Sequence, residues 1–120
     1  LPAADVVILA VPLTDATRRM ADDAFLSRMR DGAVLVNVAR GAVADTEALL
    51  RHADRLALVL DVTDPEPLPE DHPLWDKAAL ITPHAGGASA AFAPRIKALV
   101  RRQAERLKAG DQPENVVLRP

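Results

Sequence analysis

Apolar positions gather along this chain in four short runs, at residues 6–11, 34–38, 56–60 and 80–82. The runs are rich in valine, isoleucine and leucine and mostly fail to alternate with polar residues. That pattern suits strands buried on both faces of a parallel sheet better than half-exposed hairpins. Between the runs the period becomes helical. Asp22 and Asp23 favour a helix start, because carboxylates meet the positive end of the helix dipole there. Ala24, Phe25, Leu26 and Met29 then form one apolar face, and Gly32 stands where a terminating glycine belongs. Asp45 is a good N-cap for a second helix through Glu47, Leu49 and Leu50. The longest helical pattern runs from Ser89 to Ala109, with Ile96, Leu99, Val100 and Leu107 on one face and Gly110 at its end. Pro94 is awkward inside it, so this helix begins near Ala93 or bends there. Strand, helix, strand, helix, strand predicts an α/β fold with a parallel, doubly wound sheet and a long C-terminal helix.

The totals narrow the picture. A chain of 120 residues is one domain at most, or part of one. Half of it is apolar and the net charge is −2, which favours a folded core over disorder. The slight acidity argues against nucleic acid as a main partner. The basic residues Arg95, Arg101, Arg102, Arg106 and Lys108 on the last helix read as a solvated face. There is no cysteine. Disulfides and thiolate metal sites are thereby excluded, and the cytoplasm is the default location. No apolar run approaches the roughly 20 residues of a membrane span, and no signal peptide is visible. The chain opens at Leu1 inside an apolar pattern without an initiator methionine, which reads as part of a longer protein.

Candidate chemistry concentrates between Asp61 and Gly87, in DVTDPEPLPEDHPLWDKAALITPHAGG. His84 follows a proline and precedes Ala-Gly-Gly at the expected carboxyl end of a parallel strand, where open α/β sheets bind ligands. Taken alone, a helix-capping or surface histidine is the simpler reading. Glu66 lies between Pro65 and Pro67, which restrict its backbone; an ordinary acidic loop residue is the alternative. Glu66 and His84 leave strand-like segments that can be neighbours, a plausible geometry for a carboxylate-buttressed acid/base. Arg40 ends the run VLVNVARG just before Gly41 and can offer a two-pronged donor to a carboxylate, or simply close a salt bridge at a strand end. His52, His72 and His84 lack metal-ligand spacing, so no metal site is expected. Trp75 reads as an anchor for its loop. Ser27 and Ser89 have no nucleophile-elbow context, and no GxGxxG turn is present.

Together these segments resemble the D-isomer-specific 2-hydroxyacid dehydrogenases. The likeness is carried by ADVVILAVPLTDATRRM, by GAVLVNVARG followed by DTEALL, by LDVTDPEPLP, by DHPLW leading to LITPHAGGAS, and by the closing PENVV. It covers nearly all 120 residues in order. The resemblance implies the second half of a Rossmann-like NAD-binding domain, without its glycine-rich turn, its ribose-binding acid or the substrate domain. It places Arg40 on the substrate carboxylate and carbonyl, His84 as the acid/base at the 2-oxygen, and Glu66 as the carboxylate paired with His84. It places Asp61 at the nicotinamide end of the cofactor, the backbone at Val11, Pro12, Val38, Ala39 and Arg40 along the cofactor groove, Gly86 and Gly87 beside the nicotinamide, and Thr17 towards the adenosine side. There are departures. Thr63 stands where an aromatic is frequent, the stretch between Arg40 and Glu66 is a little short near Asp54, and an acidic residue often found after the GGA turn is missing.

The expectation is therefore hydride transfer between NAD or NADP and C2 of a small 2-hydroxy or 2-keto acid in an intact enzyme, with residues 1–120 inactive alone. Two rivals remain open: a NAD-sensing co-repressor-like interaction protein on the same scaffold, and a non-catalytic half-domain that associates with itself. In the latter, the strand of the first run becomes a bare sheet edge that recruits a second copy, giving a homodimer.

Overall fold

The structure, a computed structural model, describes residues 1–116 and divides into two compact units, Leu1–Gly86 and Gly87–Pro120. The first unit holds four strands in one parallel sheet: β1 (Val6–Leu9), β2 (Val34–Asn37), β3 (Ala57–Leu60) and β4 (Leu80–Ile81). Their order in space is their order in sequence. The connections carry α1 (Asp23–Ser27), α2 (Thr46–His52) and α3 (Leu74–Lys77). This is a Rossmann-like parallel α/β fold.

Consecutive strand order has a consequence for burial. Crossovers between parallel strands are right-handed, so a sheet that always advances in one direction puts every connection on the same face. Leu35 and Asn37 of β2 and Leu58 and Leu60 of β3 are buried and alternate with half-buried neighbours. Leu26, Met29, Ala48, Leu49 and Leu74 from the connecting segments complete that core. The opposite face is apolar too, yet Val6, Ile8 and Leu80 on it are exposed. The unbroken apolar runs thus form strands as expected, but within this unit their burial is one-sided.

Register levels the strand ends. Leu9 pairs with Asn37, Asn37 with Leu60, and Leu60 with Ile81. Residues that follow this row in sequence therefore emerge along one rim: Pro12 after β1, Arg40 after β2, Asp61 after β3 and His84 after β4.

The first two helices start on aspartate caps, but α1 does not end where local pattern predicts. Asp45 caps α2, its Oδ1 accepting from the Glu47 and Ala48 amides at 3.0 and 3.2 Å. Asp22 caps α1 through the Phe25 amide at 2.8 Å. The apolar pattern predicts α1 continuing past Met29 to Gly32, but the helix stops at Ser27. The reason is tertiary: the Arg55 guanidinium donates to the carbonyls of Leu26 and Met29, and the Gly32 amide donates to the Arg55 carbonyl. Gly32 has a φ of +76° and serves that later turn.

The second unit is built on α4 (Phe92–Ala109). Its start at Phe92 lies one residue from the Ala93 start that Pro94 predicts, three residues after Ser89. Pro94 thereby falls in the first turn, where its missing N–H has no helical partner to lose. Gly110, at φ +79°, closes the helix by donating to the carbonyls of Arg106 and Leu107. The following segment folds back, with Arg102 Nε donating to Glu114 at 2.7 Å and the Glu114 amide to Gln103 Oε1 at 2.9 Å. Val117, the last residue of the PENVV resemblance, lies outside the described residues. No described helix is long and apolar enough to cross a membrane.

Candidate active site

The loop after β2 is organised by a residue that the sequence reading passed over. Asn37 is almost fully buried; its Oδ1 accepts from the Ala39 amide and its Nδ2 donates to the Arg40 carbonyl. A lone polar residue inside VLVNV was the available signal, since a buried amide must find partners. Gly41 then passes so close to the next loop that a Cβ there would lie 1.8 Å from the Thr63 carbonyl oxygen. Arg40 sits between the two in extended backbone, with Nη1 donating to the Ala39 carbonyl at 2.7 Å. It forms no ion pair among the described residues. Arg40, Val38 and Ala39 face Ala10, Val11, Pro12 and Leu13 across a cavity of about 490 Å³. Thr17 holds the β1 side of it by donating to the Pro12 carbonyl at 2.7 Å, and its hydroxyl accepts from the Thr14 amide at 2.8 Å.

The loops after β3 and β4 hold the second group. His84 Nδ1 lies 2.7 Å from Glu66 Oε1, with both side chains partly exposed. A carboxylate can only accept, so Nδ1 carries the proton and Nε2 is left as the ring atom free to exchange one. His84 has a φ of +54°, a left-handed conformation that costs a residue with a Cβ. Its backbone is tied down: the amide donates to the carbonyls of Asp61 and Thr82.

Asp61 supports this turn from below. Its carboxylate accepts from the Thr82 hydroxyl, from the Ala85 amide at 2.9 Å and from the Gly86 amide at 2.8 Å. These bonds hold its pKa below the usual aspartate value, the Thr82 hydroxyl contributing most and the Gly86 amide next. Burial opposes the shift, and the Ala85 amide and the His84 charge add to it. Thr82 was not singled out from the sequence either, because a threonine closing an apolar strand is ordinary. Gly86 is needed for contact, since a Cβ would come within 2.8 Å of Asp61 Oδ2. Gly87 opens the second unit.

A second cavity of about 240 Å³ is lined by Glu66 and His84 together with Leu68, Trp75 and Ile81. Trp75 anchors its proline-rich loop, as its sequence context predicts, by donating from Nε1 to the Pro69 carbonyl at 2.7 Å. His72 Nδ1 accepts from the Leu74 amide at 3.2 Å at the start of α3. Arg40 and the Glu66–His84 pair thus share one rim but line separate cavities. Among the described residues no cluster of three or more His, Asp or Glu could hold a metal ion.

Parallel strands whose carboxyl-end loops present a histidine–carboxylate pair, an arginine without an ion-pair partner among the described residues and close-packed glycines define a domain of the open α/β class, in which ligands bind at that rim. Comparison narrows that class to one family. Residues 1–86 match the family described as "D-isomer specific 2-hydroxyacid dehydrogenase, NAD binding domain", and the chain belongs to it. Glyoxylate reductase of Aeropyrum pernix is 36% identical over 99% of this chain and 37% of its own length. Erythronate-4-phosphate dehydrogenase of Salinibacter ruber is 50% identical over 72% of this chain and 24% of its own. The crystal structure of a D-isomer specific 2-hydroxyacid dehydrogenase from Xanthobacter autotrophicus, in complex with NADPH and MES, superposes with a TM-score of 0.84 at 34% identity. It covers 95% of this chain and 48% of that one. The chain spans about a third of the length of such curated relatives.

Proposed function

We propose that this chain contributes the acid/base half of an NAD(P)-dependent dehydrogenase acting on a small D-2-hydroxy or 2-keto acid. The observation that carries the reading is the 2.7 Å contact between His84 Nδ1 and Glu66, which commits the ring to one tautomer and leaves Nε2 for the proton at the substrate's 2-oxygen. Arg40, with no carboxylate partner among the described residues, binds the substrate carboxylate as a planar fork. When bound, the nicotinamide supplies or accepts the hydride at C2. The cleft between Ala10–Leu13 and Val38–Arg40 fits a cofactor because apolar residues and the cationic Arg40 line it at the carboxyl rim. In this reading Val11, Pro12, Val38, Ala39 and Arg40 line the cofactor groove, with Thr17 towards the adenosine side. Asp61, His84, Gly86 and Gly87 stand at the nicotinamide end. Asp61 accepts three donors with its carboxylate, which leaves one acceptor position on Oδ2. Both NAD and NADP are compatible with it.

The test is a chimera in which these residues replace the matching segment of the Aeropyrum pernix glyoxylate reductase, assayed for NAD(P)H oxidation with glyoxylate. Turnover is expected in the chimera. His84→Gln should lower kcat by about 100-fold or more, the usual worth of a positioned acid/base. A chimera whose His84→Gln form turns over at the parent rate sinks the assignment. A chimera that binds cofactor but never turns over favours a NAD-sensing interaction protein instead. The 120 residues alone are expected to show no turnover.

A second reading concerns the isolated chain. β1 pairs only with β2 among the described residues, and Val6 and Ile8 on it are 51% and 60% exposed. An uncovered apolar edge recruits another strand. We infer that the isolated chain forms a homodimer through β1.

A further inference from the structure

We propose that Asp61 is a positioning residue that sets the His84 ring against Glu66, in addition to any contact it makes with a ligand. Its significance for catalysis rests on the function proposed above for His84; its physical content does not. Three observations converge on it. First, Asp61 bridges the backbone on both sides: its amide donates to the Asn37 carbonyl at 3.0 Å, and its carbonyl accepts from the His84 amide at 2.9 Å. The proton-carrying residue is thereby fastened to the end of β3 as well as to Thr82 at the end of its own short strand. Second, its carboxylate gathers the Thr82 hydroxyl before the histidine and the amides of Ala85 and Gly86 after it. The three donors straddle His84, so one charged group determines the path of the chain through that residue. Third, the path is unfavourable in isolation, because His84 sits at φ +54°. Something must hold it there, and among the described residues Asp61 supplies both backbone and side-chain fastenings. Gly86 completes the device by letting its amide approach the carboxylate where a Cβ would collide.

The expected consequence is specific. Glu66 approaches from the loop after β3, and His84 can meet it only if the turn aims the ring correctly. Losing the Asp61 carboxylate should release the turn, separate Nδ1 from Glu66 and erase the tautomer preference, while the sheet persists.

The experiment uses the 120-residue chain without any ligand, labelled with ¹⁵N. Ring ¹⁵N shifts report which nitrogen of neutral His84 carries the proton, and amide exchange reports the Ala85 and Gly86 bonds. The unaltered chain should show the Nδ1–H form. Asp61→Asn should lose that signature and accelerate exchange at Ala85 and Gly86 roughly tenfold, the factor implied by one lost charge-assisted hydrogen bond. Thr82→Val should move both readouts the same way, and Thr82→Ser, which keeps the hydroxyl, should restore them. Asp45→Ala, which weakens α2 without touching the turn, should leave both unchanged. If Asp61→Asn fails to fold, the Thr82 pair carries the test. The proposal is overturned if Asp61→Asn and Thr82→Val both retain the Nδ1–H signature, if Thr82→Ser does not restore it, or if Asp45→Ala erases it equally. An inactive chimera alongside an intact ring signature would strike the proposed function alone.

Discussion

Histidine 84 and aspartate 61 show how two residues acquire roles from the atoms around them. A histidine after a proline is unremarkable until its Nδ1 is seen 2.7 Å from a carboxylate, which leaves the other ring nitrogen outside that hydrogen bond. Asp61 looks like any strand-end acid until its oxygens are seen to collect a hydroxyl and two amides. Its stability linkage has a definite sign. The folded pKa is lowered from 3.8, first by the Thr82 hydroxyl. Its contribution is therefore present above the ordinary aspartate range and is lost as pH falls through the lower, folded value. Asp23 behaves alike, held down first by Arg51 and then by His52. Acid titration followed by circular dichroism should thus show unfolding extending below the ordinary aspartate range, and Asp61→Asn should remove part of that acid dependence. An identical acid profile in the variant would count against the linkage.

Short elements depend on their ends. α1, α2 and α3 are each too short to persist as isolated helices, so caps and packing decide whether they form. Asp45 satisfies two amides at the start of α2, and Ala48 and Leu49 bury its inner face. Asp45→Ala should cost about 1 kcal/mol in urea unfolding, the typical loss for an N-cap. A change near zero would mean that packing alone holds α2. The caps were readable because an N-cap is a local interaction between residues two or three apart. The end of α1 was not, because Arg55 reaches its carbonyls from 26 and 29 positions away.

Strand order determines what the sheet leaves uncovered. Advancing one strand at a time, it collects its connections on one face and ends at β1, whose outer edge pairs with no other strand among the described residues. The inferred homodimer can be checked by sedimentation velocity at several concentrations, with amide exchange on β1. Dimers with protected β1 amides are expected; a monomer with fast-exchanging β1 amides excludes the interface. A Lys substitution at Ile8 should shift the equilibrium towards monomer, since a charge on an edge opposes strand addition.

Periodicity and composition were enough for the parallel α/β class, the four strands, the Asp45 cap and the Gly110 stop, because each rests on neighbours in the chain or on a repeating pattern. The same residues also carried the resemblance to the dehydrogenase family, to which the chain belongs. Folding decided matters that depend on contacts across the sequence. These include the early end of α1 at Arg55, the glycine at 41 beneath the Thr63 carbonyl, which nitrogen of His84 meets Glu66, and the gathering of the His84 turn on Asp61. A local pattern records which way a side chain faces, but not which distant atom it will meet. That depends on strand register, which brings Leu60 level with Ile81 and so places the two loops side by side.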